Sequence, residues 1–199
     1  ENTLVVFTAD QGIGWGQHGF RVKLAPYDAT IRSPLIVSMP SRLPENKVCR
    51  IPVSGVDLVP TFFEFAELDL PWAMHGRNLL PLLEKPQGKT NKTALTVMTG
   101  KKYGADTHTI PTERDDLYIN NVPWWVSLRA GKFKYIRTLV QGETEELYDL
   151  QRDPEELVNL AHNSRFKSKV LELRRATIDE LHRVDAKFVD QLPSVGTGY

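Results

Sequence analysis

Residues 3–8 are apolar or β-branched without a break, and the run stops at Asp10 and Gln11, where a glycine-rich loop begins. A strand with no polar face needs cover on both sides, as it has inside a parallel sheet whose faces carry helices. This one feature points to an α/β architecture. It also puts Asp10 and Gln11 at the carboxyl end of a strand, where open α/β sheets hold their ligands. The remaining strands of such a sheet are not evident downstream, so the sequence reads as a piece of something longer.

Composition narrows the functional classes. The chain has 199 residues, 41% of them hydrophobic, with 25 Lys plus Arg against 25 Asp plus Glu. That is ordinary globular content with no net charge, which excludes extensive disorder and leaves enough chain for one sizeable core. Without a global positive field there is no basis for a nucleic-acid partner. No apolar run approaches the roughly 18 residues that would span a bilayer. Glu1, Asn2 and Thr3 lead straight into the strand, so no signal peptide is expected. Cys49 stands alone and forms no internal disulfide, which leaves the compartment open.

Residues 27–31 read as a helical turn, 34–39 as a second strand, and 56–68 as a helix with Pro60 tolerated in its first turn. Residues 69–92, with Pro71, Pro81 and Pro86, read as an irregular connection, followed by a strand over 93–99 and a polar loop over 100–116. Two strands, 124–129 and 133–138, flank a hairpin signal at Ala130, Gly131 and Lys132, and a third covers 146–150. Apolar residues spaced among charges over 166–184 make an amphipathic helix.

The glycine spacing Gly14-x-Gly16-x-x-Gly19 formally matches a dinucleotide fingerprint, but that mechanism needs a helix starting at the last glycine. Phe20 to Pro26 have no helical periodicity, and Met39 sits where a ribose-binding carboxylate belongs, so a nucleotide site is rejected. Asp10 and Gln11 are hard oxygen donors suited to Ca²⁺ or Mg²⁺. Taken alone, a turn-forming or capping Asp explains that position as well. His18 and Lys23 lie on the same loop and could reach the same mouth, or be solvated surface.

Taken together, residues 2–37 resemble the last metal-binding strand of the sulfatase family, in the alkaline-phosphatase superfamily. The match runs through Asn2, Asp10, Gln11, Gly12, Gly16, His18, Gly19, Lys23, Tyr27, Asp28, Ile31, Arg32 and Pro34. It continues in Asp57-Leu58-Val59-Pro60-Thr61, in Trp125 to Ile136, and in a closing signature that includes Glu146, Tyr148, Asp149, Asp153, Pro154, Glu156 and Asn159. The resemblance implies a remnant of the large, mostly parallel sulfatase sheet over 1–92, a small antiparallel sheet packed with a C-terminal helix over 93–190, and a loose tail over 191–199. It implies metal ligands at Asp10 and Gln11, with Ca²⁺ preferred and Mg²⁺ the alternative. Lys23 would touch the sulfate, and His18 would contact the substrate or the leaving oxygen, or else brace the loop. His108 and Trp124 are further candidates for substrate contact, Trp124 through sugar stacking. Trp125 is read as packing, and Asp28 and Arg32 as supports.

The family nucleophile is a formylglycine made from the first residue of Cys/Ser-x-Pro-x-Arg, placed before the metal strand. The expectation is that this chain lacks it: the stretch Cys49-Arg50-Ile51-Pro52-Val53 is a near miss, and Cys49 is read as a buried or half-buried structural thiol. The expected activity is therefore hydrolysis of a sulfate ester, small or carbohydrate, by a longer protein, with this chain inactive without the N-terminal half. Two alternatives stand beside it: a phosphonate or phosphodiester hydrolase of the same superfamily, and a catalytically dead binding module. The resemblance also suggests an exported protein, whether periplasmic, extracellular or lysosomal.

Overall fold

A computed structural model describes residues 2–88, 90–100 and 107–196. The chain groups into two compact units, one formed by Glu1–Asp10 with Ser33–Ala94 and the other by Gln11–Arg32 with Leu95–Tyr199. The α/β class, the small sheet and the C-terminal helix are all present. The segment Gln11–Arg32, which follows the first strand, belongs with the second unit.

In the first unit, β1 (Val5–Thr8) pairs antiparallel with β4 (Leu35–Ser38), Val5 opposite Ser38 and Thr8 opposite Leu35. This corrects the reading of the surviving strands as parallel; two short strands of similar composition carry no signal for direction. Val5 is 56%, Phe7 60% and Ile36 61% exposed, the little cover that a remnant of a larger sheet leaves its strands. Helix α2 (Leu58–Phe65) is started by Asp57, whose carboxylate is 3% exposed. That carboxylate accepts from Ser54 N at 2.8 Å and Arg77 N at 2.7 Å, and pairs with Lys92 Nζ at 2.7 Å. Thr61 Oγ1 donates to Asp57 O and accepts from Leu79 N at 2.8 Å. The motif Asp57 to Thr61 is thus a structural hub, with the side chains at its two ends doing the joining. A Cβ at Gly76 would lie 1.8 Å from Val56 O, so only glycine lets the chain pass there. Residues 69–92 are not wholly irregular: α3 (Leu80–Glu84) forms with Pro81 in its first turn, where a missing N–H costs nothing. Cys49 is exposed, contrary to the reading of a packed thiol.

In the second unit a four-stranded sheet runs in the order β10 (Glu146–Asp149), β9 (Phe133–Thr138), β8 (Trp125–Ala130), β5 (Thr93–Met98), with β10/β9 and β9/β8 antiparallel. Helix α4 (Lys167–Arg183) buries Val170, Leu173, Thr177 and Leu181, spaced to share one face. Two clusters form the core: Trp124, Val126, Leu139, Val140, Leu181 and Phe188 in one, Tyr135, Leu147, Val170 and Leu173 in the other. Two small hairpins went unread in the sequence. They are β2 (Gly14–Trp15) with β3 (Arg21–Val22), and β6 (Tyr118–Ile119) with β7 (Val122–Pro123), which turns through Asn120 and Asn121, both at positive φ. Of the stretch expected as a loose tail, residues 194 and 196 are tied down, Gly142 N donating to Ser194 O at 3.1 Å and Gly196 N to Glu143 O at 2.8 Å, and 197–199 lie outside the described residues. Among the described residues no helix is long and apolar enough to cross a membrane.

Candidate functional site

The loop carrying Gln11, His18 and Lys23 is shaped by backbone that only some residues allow. A Cβ at Gly12 would fall 2.5 Å from Ala29 O, so glycine lets the outgoing chain pass against α1 (Asp28–Ile31). The hairpin between β2 and β3 turns through Gly16 (φ 120°), His18 (φ 53°) and Gly19 (φ 77°), all left-handed. Trp15 N donates to Gln17 Oε1 at 2.7 Å, which closes the turn.

Gln11 and Lys23 are brought together across the base of this hairpin. The side-chain amide of Gln11 donates to Lys23 O, and Lys23 Nζ donates to Gln11 O at 3.4 Å. Using Nε2 this way leaves Gln11 Oε1 as the oxygen a cation would take. Asp10, exposed, is the last residue of the first unit and the chain neighbour of Gln11.

His18 is fixed on both its face and its edge. Its ring stacks on Tyr27 with centroids 3.7 Å apart and planes 7° from parallel, and Nε2 lies 3.0 Å from Glu155 O. A carbonyl only accepts, so Nε2 carries the proton and Nδ1 is the atom left for other work. Tyr27 in turn donates to Glu146 Oε2 at 3.1 Å, and Tyr148 donates to the same oxygen at 2.6 Å. Burial, and then the neighbouring Glu146 carboxylate, push the hydroxyl of Tyr27 well above the ordinary phenol range. It therefore stays a donor at any physiological pH.

The sheet explains how the loop is held. Arg129 stands opposite Lys134, and Tyr148 opposite Lys134 on the other side. Because side chains alternate across a strand, Trp125, Arg129, Lys134, Glu146 and Tyr148 share one face, and Val126, Tyr135 and Leu147 point to the other, toward α4. The first face docks the loop. Trp125 Nε1 donates to Leu24 O at 2.8 Å, next to Lys23. Lys134 Nζ pairs with Asp28 Oδ1 at 2.9 Å and Glu156 Oε1 at 2.7 Å, and Arg129 reaches Asp28 Oδ2 at 3.4 Å. Lys134 is 1% and Glu156 2% exposed. Burial pushes the Glu156 carboxyl up, and Lys134 beside it pulls the other way. Losing one member of a buried pair of this kind typically costs about 3–5 kcal/mol.

Two candidates from the sequence stand elsewhere. Trp124 is 5% exposed inside the core with Val126 and Leu181, on the helix side of the sheet, and has no ring face to offer a sugar. The alternation that turns Trp125 toward the loop turns Trp124 away from it. His108 is exposed, and its carbonyl accepts from Gln191 Nε2 at 3.1 Å. Lys134, Glu146, Glu155 and Glu156 were not singled out for any role at the loop. The only signal was that they sit on the strands and closing signature of the matched segments.

The donor set can be weighed against a resident cation. Asp10 and Gln11 have the right hard-oxygen chemistry but supply about two or three oxygens, against the six to eight that Ca²⁺ takes. Among the described residues no group of three or more His, Cys, Asp or Glu side chains is placed to hold a metal. The residues present do not make a complete site.

The expected absence of the nucleophile pattern also needs correction. Ser38-Met39-Pro40-Ser41-Arg42 satisfies Ser-x-Pro-x-Arg in its letters. It follows β1, whereas the resemblance places the family pattern before that strand. Ser38 closes β4 opposite Val5, and Arg42 is engaged with Glu84 Oε1 at 3.5 Å and lies over the Phe65 ring at 5.1 Å. Mass spectrometry of the peptide carrying Ser38 should find an ordinary serine, with no loss of two hydrogens.

The similarity to known proteins extends over most of the chain. Residues 16–183 match the family described as N-sulphoglucosamine sulphohydrolase, C-terminal. The chain is 30% identical over 173 residues to an N-acetylglucosamine-6-O-sulfatase of Bacteroides thetaiotaomicron, which covers 87% of this chain and 29% of that protein. A solved structure of a protein in complex with its substrate, D-glucosamine-2-N,6-O-disulfate, superposes with a TM-score of 0.73 at 25% identity, over 92% of this chain and 34% of that one. A phosphonate monoester hydrolase of Silicibacter pomeroyi shares the fold, with a TM-score of 0.66 at 24% identity over 92% and 35% of the two chains. The chain therefore spans about a third of the length of the proteins it matches. With most of its residues covered by the family match, and the sheet, the helix and the Gln11–Lys23 loop in place, this chain belongs to the sulfatase family as a C-terminal sulfatase domain.

Proposed function

We propose that this chain is the C-terminal portion of an enzyme that hydrolyses the sulfate ester of a sulfated carbohydrate. The observation that carries the reading is the closed Gln11–Lys23 loop, an amide and an ammonium held at one hairpin base. It lies within a domain whose relatives include one named for a sulfated sugar. Lys23 places its positive charge against a non-bridging sulfuryl oxygen, where charge concentrates as the ester bond breaks. From the doubly protonated ring, His18 gives its Nδ1 proton to the leaving oxygen and ends neutral, with Nε2–H still donating to Glu155 O. Asp10 and Gln11 contribute two ligands of a cation site, Ca²⁺ first and Mg²⁺ as the alternative, whose set is completed by carboxylates beyond these 199 residues. The nucleophile is a formylglycine, also beyond them, because the family pattern precedes the metal strand.

The test is an assay of the full-length protein on N-acetylglucosamine 6-sulfate, choline sulfate and a phosphonate monoester. Sulfate release from the sugar ester at the highest kcat/KM supports the reading. Preference for the phosphonate makes the enzyme a phosphonate hydrolase, whose fold this chain shares. No turnover of any of the three by soluble, folded protein favours a binding module. For the 199-residue chain alone the expectation is no turnover, and no micromolar or tighter Ca²⁺ binding by isothermal titration, since its donors are too few.

A further inference from the structure

The closing signature around Asp153, Glu156 and Asn159 has no direct part in the chemistry just described, yet the Glu156 side chain and the Glu155 carbonyl both reach the loop that does. Asp153 closes the turn by accepting from Leu157 N at 3.0 Å and Val158 N at 2.8 Å. Asn159 pins the turn to the sheet, accepting from Leu147 N at 3.0 Å and donating to Glu145 O at 3.0 Å. Between these two fastenings Glu156 is held at φ 57°, a conformation that residues with a side chain rarely adopt. That conformation accompanies a carboxylate carried into the interior, 2% exposed, where Oε2 accepts from Asp28 N at 2.6 Å and Oε1 faces Lys134. One residue earlier, the Glu155 carbonyl receives His18 Nε2.

A turn that only had to connect β10 to α4 could leave both residues in water. Instead, two successive positions reach the loop at two separate points, the backbone of Asp28 and the ring of His18. Lys134 completes the clamp by holding Asp28 and Glu156 together from the sheet. We propose that the 153–159 turn is a positioning element for the sulfate-ester site, in which Glu156, through Lys134 and Asp28, fixes the hairpin that presents His18 and Lys23. This deepens the functional reading given above and rests on it for its effect on turnover. The fastening of the loop stands apart from any reaction.

The test compares wild-type and Glu156→Ala full-length protein by hydrogen exchange and by kinetics. Amides of residues 14–28 are expected to exchange about tenfold faster or more in the variant, with those of β8, β9, β10 and α4 unchanged. Turnover of the sulfate ester is expected to fall by about 10- to 100-fold, because a small misplacement of a charge at the reacting centre is that costly. Glu156→Gln, which keeps an acceptor for Asp28 N, should lose less than Glu156→Ala. Should Glu156→Ala fail to fold, Asp28→Asn removes the loop's charge while leaving Lys134 paired with Glu156, and the same local exchange is expected. Exchange at 14–28 equal to wild type, or raised by the same factor throughout the second unit, overturns the proposal, as does full turnover in a variant with a loosened loop. A wild-type protein inert toward sulfate esters would instead remove the functional reading, and the exchange result would still decide the fastening.

Discussion

Lys23→Ala in the full-length protein is expected to lower turnover of a sulfate ester by about 10²- to 10³-fold, the usual cost of removing one preorganised charge from a transition state. Folding should barely change. Lys23 is only half-buried, and the contact that ties it most directly to the hairpin base is made by its carbonyl, which accepts from Gln11 and survives the substitution. The neighbouring carbonyl of Leu24 keeps its bond from Trp125 Nε1 as well. The measurement is sulfate release under saturating substrate, beside a thermal melt of the same preparation. A fall in turnover of less than about threefold, with the melt unchanged, would take Lys23 out of the transition state, since a single useful donor there is worth far more.

Trp124→Ala should behave in the opposite way, destabilising strongly and leaving the chemistry alone. The indole is enclosed by Leu117, Val126, Leu139, Val140, Leu181 and Phe188, and truncating a buried tryptophan costs about 3–5 kcal/mol. Urea unfolding of the second unit's transition reads this loss, and kcat per folded molecule should stay within about twofold of wild type. A large loss of kcat/KM on sugar esters, with stability preserved, would restore the stacking role expected from the sequence. Trp124→Phe should cost less than alanine. It keeps most of the apolar volume, and Nε1, buried without a hydrogen-bond partner among the described residues, gives up nothing when it is removed.

The two substitutions differ because adjacent residues on a strand face opposite ways. In the sequence Trp124 and Trp125 form an adjacent pair, Trp125 read as packing and Trp124 left open as a candidate for sugar stacking. The structure buries both, one against α4 and the other against the loop. Periodicity reports that alternate residues share a face, without saying what covers each face. Arg129, Lys134 and Glu146 pose the same problem more sharply. One charged residue on each strand reads as the solvated side of a sheet, but here that side carries the Gln11–Arg32 segment, and Lys134 is nearly sealed from water.

Much was legible where local chemistry alone sets the structure. Pro60 in a first turn, the glycine between two β-branched strands, and the spacing of Val170, Leu173 and Leu181 located α2, the β8/β9 hairpin and α4 to within a few residues. Motif spacing carried the family, since residues 16–183 match it. What stayed hidden involves partners far apart in the chain. Examples are the antiparallel direction of β1 and β4, the contact of His18 with Glu155, and that of Asp28 with Lys134 and Glu156.

The sequence by itself therefore determined the elements, the family and the stretch where Asp10, Gln11, His18 and Lys23 are strung. Each follows from interactions between residues a few positions apart, or from a linear motif. Only the tertiary structure decided that the hairpin bearing His18 and Lys23 rests on the far sheet, with buried charges set beside Trp125 in its seat. Such a seat leaves no periodic trace, because a buried carboxylate and a solvated one are written with the same letter. They differ only in whether an ammonium such as Lys134, more than a hundred residues from Asp28, arrives to meet it.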